Sequence, residues 1–358
     1  MRKLFRGLLK LIGVALLAGV VFVGIVAWRG HFFRDVDPQF AGSCEALPLK
    51  GSAEDIQLDR DRGLAYLSVL DRQGLVEGGQ DVQGTIMKVN LNLQPLRAER
   101  ALIDQPDHFR PHGLSLYIDE NGRRYLFAIN HPVNRGSEPE MLEIFEERTP
   151  GRFSLIETIS DPLLVSPNDI VAVGPRQIYV ANDKAIGTAA KLLQQIGIGG
   201  SPLTFVDGDE IRVVRDDIAS GGGIAASPDG EMLYVSETAA QRIRVFARDQ
   251  NDGSLTEVER VPVDTSPDNI DVATDGSLWI GAHPNTLKLI QHFAQGKPAP
   301  SQVRRLQLGG DPLINDIYMN DGREISASSV GVNYDNLLLI GSITARKLLV
   351  CTLPSDPD

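Results

Sequence analysis

Two stretches, Gly221–Thr238 (GGGIAASPDGEMLYVSET) and Ser266–Pro284 (SPDNIDVATDGSLWIGAHP), follow one layout. Small or polar residues lead into a short apolar strand, an Asp-Gly pair follows, and a second apolar strand returns. Asp229-Gly230 and Asp275-Gly276 are hairpin turn signals, because the tight turn between two strands needs positive φ. Four more copies are 51–69 (GSAEDIQLDRDRGLAYLSV), 110–131 (RPHGLSLYIDENGRRYLFAINH), 166–183 (SPNDIVAVGPRQIYVAND) and 326–344 (SASSVGVNYDNLLLIGSIT). Their first-strand residues align at Ile56, Leu114, Ile170, Ile224, Ile270 and Val330, spaced 46 to 60 residues apart. The second strand begins at Leu64, Ile178, Met232, Leu278 and Leu338; the second copy has a longer hairpin and resumes at Leu126. Such self-similarity is the mark of a repeat architecture.

Between the copies lie further strand-like stretches: MLEIFEER (141–148), RIRVFARD (242–249) and LKLIQHF (287–293). Each unit therefore supplies about four strands. Six such units predict an all-β fold, a six-bladed β-propeller with four-stranded blades, whose radial repetition protects its sheet edges. A β-sandwich with accidental similarity is the rival, and two registered strands in six copies argue against it. The one clear helical interruption is AIGTAAKLLQQIGIGG (185–200), readable as a lid, a membrane-contacting segment or an ordinary inter-strand helix.

The first 30 residues differ from the rest. Arg2, Lys3, Arg6 and Lys10 precede an uncharged run from Leu11 to Trp28, and Arg29 closes it. That run approaches the ~20 residues that span a bilayer as a helix, and its basic flank should stay cytoplasmic. A cleaved signal peptide is the alternative, although its apolar core is normally shorter. The expected division is an anchor over 1–30 and a propeller over 31–358, on the non-cytoplasmic side of a membrane. The chain's only cysteines, Cys44 and Cys351, stand near the two ends of the exported part. In an oxidising compartment such a pair suggests a staple, and in a ring it would clamp the closing blade. The net charge of −12 argues against a nucleic-acid surface, which needs clustered Lys and Arg.

In a propeller the innermost strands line the axis. Two positions before each first-strand residue stand Glu54, His112, Asn168, Gly222, Asp268 and Ser328; one position before stand Asp55, Gly113, Asp169, Gly223, Asn269 and Ser329. Converging carboxylates would have to protonate without a cation. Oxygen-only donors with amides and no thiolate point to Ca²⁺, and the histidines are not grouped for zinc. An ion that only pins the blades together is as compatible with this pattern as a catalytic one. His112 enters the second inner strand, while His131 and His283 end second strands in the phrases NHP and AHPN. Two histidines on one blade beside a metal suit a base and its orienter. No G-x-S-x-G elbow supports a serine hydrolase.

The phrases GSAEDIQL, PHGLSLYID, NHP, PNDIVAVGP, SPDGEMLYV, PDNIDV, LWIGAHPN and KLLVCTL, spread over residues 40–352, resemble the paraoxonase/arylesterase family of gluconolactonase-like propellers. The resemblance implies six blades, two axial Ca²⁺ ions, an end-to-end disulfide and hydrolysis of lactones and aryl esters. It implies that Glu54, Asn168, Asp268 and Asn269 hold a catalytic ion, and that Asp55, Asp169 and the Leu114 carbonyl hold a structural one. His112 and His131 match the family's water-activating pair. One departure stands out: Gly222 occupies a ligand position where the family has Asn, leaving it vacant. The rival readings are a Ca²⁺-stabilised propeller that only binds a partner, and a hydrolase of sugar lactones or phosphotriesters.

Overall fold

The computed structural model describes residues 2–76, 78 and 82–354. Six separate four-stranded antiparallel sheets follow one another along the chain. Their inner strands are Ser52–Asp59, Pro111–Ile118, Pro167–Gly174, Gly221–Ala226, Ser266–Val272 and Ser328–Tyr334, the first strands of blades 1 to 6. Each packs against the next, and the sixth packs against the first, so the ring is closed. The predicted propeller is the observed fold.

Apolar alternation on the blades explains the packing. Six core clusters form, each between two successive blades rather than within one. Ile56, Leu67 and Val89 of blade 1 meet Val330, Val332 and Leu339 of blade 6; Tyr179, Leu203 and Phe205 of blade 3 meet Ile224, Leu233 and Phe246 of blade 4. A blade buries both faces only when it has two neighbours, which is why the repeats must close into a ring.

Closure comes from the N-terminal strand Ser43–Pro48, which is the outermost strand of blade 6 and pairs antiparallel with Lys347–Thr352. Cys44 faces Cys351 directly, and the two are disulfide-bonded across 307 residues of chain.

One expectation is corrected. The stretch LKLIQHF is helical, part of a helix spanning Thr286–Gln295, and the third strand of blade 5 is Ser301–Gln307 instead. Asn285 caps the helix by accepting a hydrogen bond from Lys288 N at 3.0 Å, and Gly296 ends it in the left-handed conformation at φ 66°. Leu287, Ile290 and Phe293 sit three apart, a helical spacing that a strand reading overlooks. The segment 185–200 contains only a short helix, Thr188–Gln194, and another short one runs over Arg72–Val76. The chain thus has helical interruptions beyond the one expected.

These three helices follow second strands, so they lie on the face where the inner strands begin. The long helix Arg2–Arg29 leaves from the same face. Gly30 O accepts from Thr286 N at 2.9 Å, Arg29 donates to Ala239 O at 3.3 Å, and Arg34 to Asp264 O at 3.2 Å. Within Phe5–Arg29 an 18-residue window has a mean hydropathy of 2.6 and no buried residue, which makes the helix a candidate membrane span.

Candidate functional site

Every inner strand breaks register at its start. The irregularity falls between Ala53 and Ile56, Pro111 and Leu114, Pro167 and Asp169, Gly221 and Ile224, Pro267 and Ile270, and Ser328 and Val330. A bulge releases one or two residues from the ladder and re-aims their side chains. The residues released all belong to the set that the repeat register singled out, from Glu54 and Asp55 round to Ser329, while Asp169 and Ser328 of that set stay paired with Ala181 and Ser342.

The second axial position stitches blades together. Asp55 accepts Ile56 N at 2.7 Å with Oδ1 and Leu114 N, from blade 2, at 2.7 Å with Oδ2. Asp169 repeats this with Ile170 N and with Ile224 N of blade 4, both at 2.8 Å. The receiving blades carry glycine. A Cβ on Gly113 would lie 2.6 Å from Asn168 O and from Asp169 Cα, and one on Gly223 would lie 2.5 Å from Asp268 O. Asn269 closes the other side, donating to Glu54 Oε1 at 3.0 Å and to Glu54 O at 3.1 Å, while Ser329 Oγ donates to Glu54 O at 2.6 Å.

Three axial oxygens, two at the first position and one at the second, are left unsatisfied. Glu54 Oε2, Asn168 Oδ1 and Asn269 Oδ1 are buried and have no hydrogen-bond partner. Buried oxygens without donors are costly. Burial raises Glu54 well above the usual carboxylate range, and Asp268 raises it further. Burial pushes Asp55 up to about 7 against the amides that bind it, and burial with the Asp55 charge raises Asp169. Excess acceptors with repelling carboxylates are what a cation resolves. Among the described residues no three His, Cys, Asp or Glu side chains gather as a metal-binding group by themselves. The convergent set mixes carboxylates with amide oxygens, which fits a hard cation and not zinc.

His112 and His131 meet, with ring centroids 4.7 Å apart. His112 Nδ1 lies 3.4 Å from Arg72 Nη2 and 3.7 Å from Glu54 Oε2. His131 Nδ1 is 2.6 Å from Glu140 Oε2, and Glu140 Oε1 accepts from Arg135 at 2.9 Å. Both imidazoles are held well below their ordinary pKa. For His112 the causes are burial, then His131 and Arg72; for His131 they are burial, then Arg135 and Arg72. His283 Nε2 is 3.0 Å from Asp268 Oδ2.

Sequence reasoning missed Arg72 and Glu140, which lie outside the registered strands. Arg72 is buried, donates to Pro111 O at 2.6 Å, and backs His112. Sequence reasoning placed His131 and His283 at the ends of their second strands but missed that Asp183 and Thr238 share that position. His131, Asp183, Thr238 and His283 each follow the second-strand residue that faces the one before the axial position: Asn130, Asn182, Glu237 and Ala282 face Pro111, Pro167, Gly221 and Pro267. On these four blades they form an outer ring around the axial one, and the spacing from axial to outer residue varies with hairpin length, from 15 to 19 residues, so the strand pairing and not a fixed sequence offset labels them.

The two largest cavities among the described residues lie elsewhere. One of about 690 Å³ sits around Trp279 and Arg305 between blades 5 and 6, and one of about 670 Å³ forms the opposite mouth of the channel around Arg60, Tyr117 and Asp271. Neither holds the axial donors.

The family model described as Arylesterase matches residues 47–353. Serum paraoxonase/arylesterase 2 of Gallus gallus is 32% identical over 352 residues, covering 94% of this chain and 97% of that protein. Serum paraoxonase/lactonase 3 of Oryctolagus cuniculus is 31% identical over 361 residues, covering 97% and 99%. Among solved structures, the calcium-binding protein regucalcin of Agrobacterium tumefaciens shares the fold, with a TM-score of 0.50, 16% identity, and coverage of 87% and 93%.

Proposed function

The chain belongs to the arylesterase family, and on that premise we propose that its axial site is a Ca²⁺-dependent hydrolase of carboxylic esters and lactones. The observation that carries this reading is the trio of orphaned oxygens, Glu54 Oε2, Asn168 Oδ1 and Asn269 Oδ1, beside the paired rings of His112 and His131. Glu54, Asn168, Asp268 and Asn269 would hold one ion; Asp55, Asp169 and the Leu114 carbonyl would hold a second. When bound, Ca²⁺ supplies a fixed positive charge where the carbonyl oxygen becomes negative.

The side chains supply the proton transfers. His112, with Arg72 Nη2 at 3.4 Å and Glu54 Oε2 at 3.7 Å from its Nδ1, would offer a ring nitrogen lone pair to take a proton from the attacking water. The water oxygen bonds to the acyl carbon, the bond to the leaving oxygen breaks, and the proton on His112 returns to that oxygen. Glu140, steadied by Arg135, holds the Nδ1 proton of His131, so its unpartnered Nε2 is free to orient the His112 ring.

The helix Arg2–Arg29 holds the propeller to a membrane, with the basic residues on the cytoplasmic side and the disulfide on the oxidising one. Because that helix leaves from the face bearing the axial donors, the site opens toward the bilayer, which favours apolar substrates. The propeller domain, drawn at 31–358, runs as one unit from Ser43 to Thr352 in its described strands.

The test is hydrolysis of phenyl acetate and of γ- and δ-lactones by the detergent-solubilised full chain, with Ca²⁺ and then with excess chelator. Turnover that chelator abolishes and Ca²⁺ restores is the expected result. His112→Gln should lower kcat by about 10²-fold or more, and unchanged turnover would remove His112 from the chemistry. The vacancy at Gly222 favours a second reading, a Ca²⁺-stabilised binding propeller. It predicts Ca²⁺-dependent melting with no turnover of esters, lactones, sugar lactones or phosphotriesters.

A further inference from the structure

The axial ring is incomplete on one blade. At the first axial position blades 1, 2, 3 and 5 offer Glu54, His112, Asn168 and Asp268, each with a polar side chain, while blade 4 offers Gly222. Glycine there is not explained by the turn, because Gly222 is not among the positive-φ glycines. Space explains it. A Cβ at 222 would lie 2.6 Å from Thr238 Oγ1, 3.2 Å from Pro267 O and 3.4 Å from Asp268 Cα. The closest obstacle is a hydroxyl, and it belongs to the outer ring of the same blade.

Thr238 holds the outer-ring position that His131 holds in blade 2 and Asp183 in blade 3. The backbone repeats too: Thr238 N donates to Ser220 O at 2.9 Å, Asp183 N to Ser166 O at 2.9 Å, and His131 N to Arg110 O at 3.2 Å. In blades 2 and 5 the outer residue touches its axial partner, as His131 touches His112 and His283 touches Asp268. In blade 4 the outer residue has moved into the volume of its partner. Its hydroxyl proton is already committed to Pro267 O, at 2.8 Å. That bond fixes the rotamer and leaves the oxygen lone pairs, which only a donor or a cation can use.

We propose that Thr238 is the blade 4 oxygen of the axial cation site, its hydroxyl replacing the side chain that Gly222 lacks, so that residues 222 and 238 are one exchangeable unit. This rests on the reading of the axis as a Ca²⁺ site. An amide at 222 and a hydroxyl at 238 exclude each other unless Thr238 rotates and gives up its bond to Pro267. A carboxamide at 222 with a small residue at 238 would fill the same space.

The test measures Ca²⁺ binding to the chelator-stripped full chain in detergent, by calorimetry and by the rise in melting temperature on adding Ca²⁺. Thr238→Val keeps the shape and removes the oxygen; it should weaken binding at one site by about tenfold or more, while Thr238→Ser stays close to wild type. Gly222→Asn alone should bind no better than wild type. Gly222→Asn combined with Thr238→Ala should recover wild-type affinity or exceed it, a non-additive pair. Thr238→Val binding Ca²⁺ as wild type does, or Gly222→Asn tightening binding without a change at 238, overturns the proposal. Should Thr238→Val fold poorly without Ca²⁺, the Ser variant and the double variant still decide the matter. A wild-type chain that binds no Ca²⁺ refutes the metal reading itself, whereas a binding wild type with an indifferent Thr238 refutes only this inference.

Discussion

At the scale of single residues, the site depends on groups that hold other groups. Arg72 donates to Pro111 O, to Ser52 O at 3.3 Å and toward His112 Nδ1. Truncating it leaves buried acceptors bare. Arg72→Ala should cost about 1–3 kcal/mol of stability and lower kcat, because it frees the His112 ring and removes the positive charge that lowers the Glu54 pKa. A variant that loses stability but keeps full turnover would show that His112 needs no such support. Gly113 gives a complementary case: Gly113→Ala would drive a methyl into the backbone of Asn168 and Asp169, at 2.6 Å. Over-packing of that kind costs about 1–3 kcal/mol, read as a lower melting temperature, and an unshifted melt would mean that blades 2 and 3 can part. The axial residues were legible in the sequence because six registered copies label one position. Arg72 and Glu140 were not, because no repeat labels a residue on a helix or connecting segment.

At the scale of elements, blades 3 and 4 are joined at their outer strands by a buried cation. Arg244, fully buried in the third strand of blade 4, pairs with Asp217 of blade 3 at 3.1 Å, with Glu237 at 3.3 Å and with Glu257. Burial by itself would raise the Asp217 carboxyl. Hydrogen bonds from Arg215 and Arg244 outweigh that and hold it well below the usual carboxylate range. A depressed folded pKa means that the contribution is complete above the unfolded value of about 4 and is lost as pH falls toward the folded one. Wild type should therefore lose more melting temperature between pH 6 and pH 3 than Asp217→Asn does, and parallel losses would contradict this assignment. The element misread from sequence, LKLIQHF, is short and apolar, and strand and helix spacings overlap over seven residues. The spacing of Leu287, Ile290 and Phe293, the Asn285 cap and the Gly296 stop together distinguish them.

At the scale of the molecule, stability is a matter of closing a ring. The disulfide fixes the outermost strand of blade 6, so Cys351→Ser should cost about 2–5 kcal/mol, on the order of 5–10 °C in melting temperature. An unchanged melt would mean that strand pairing alone closes the ring. The sequence by itself determined the number of blades, the closing pair of cysteines and the axial register, because each is a periodic or terminal feature that needs no knowledge of contacts. Tertiary structure alone decided which oxygens are left without donors, which histidine nitrogen faces which partner, and that Thr238 fills the space beside Gly222. Those facts depend on distances between residues far apart in the chain, and the bulges at the six strand starts, which no local pattern announces, set those distances.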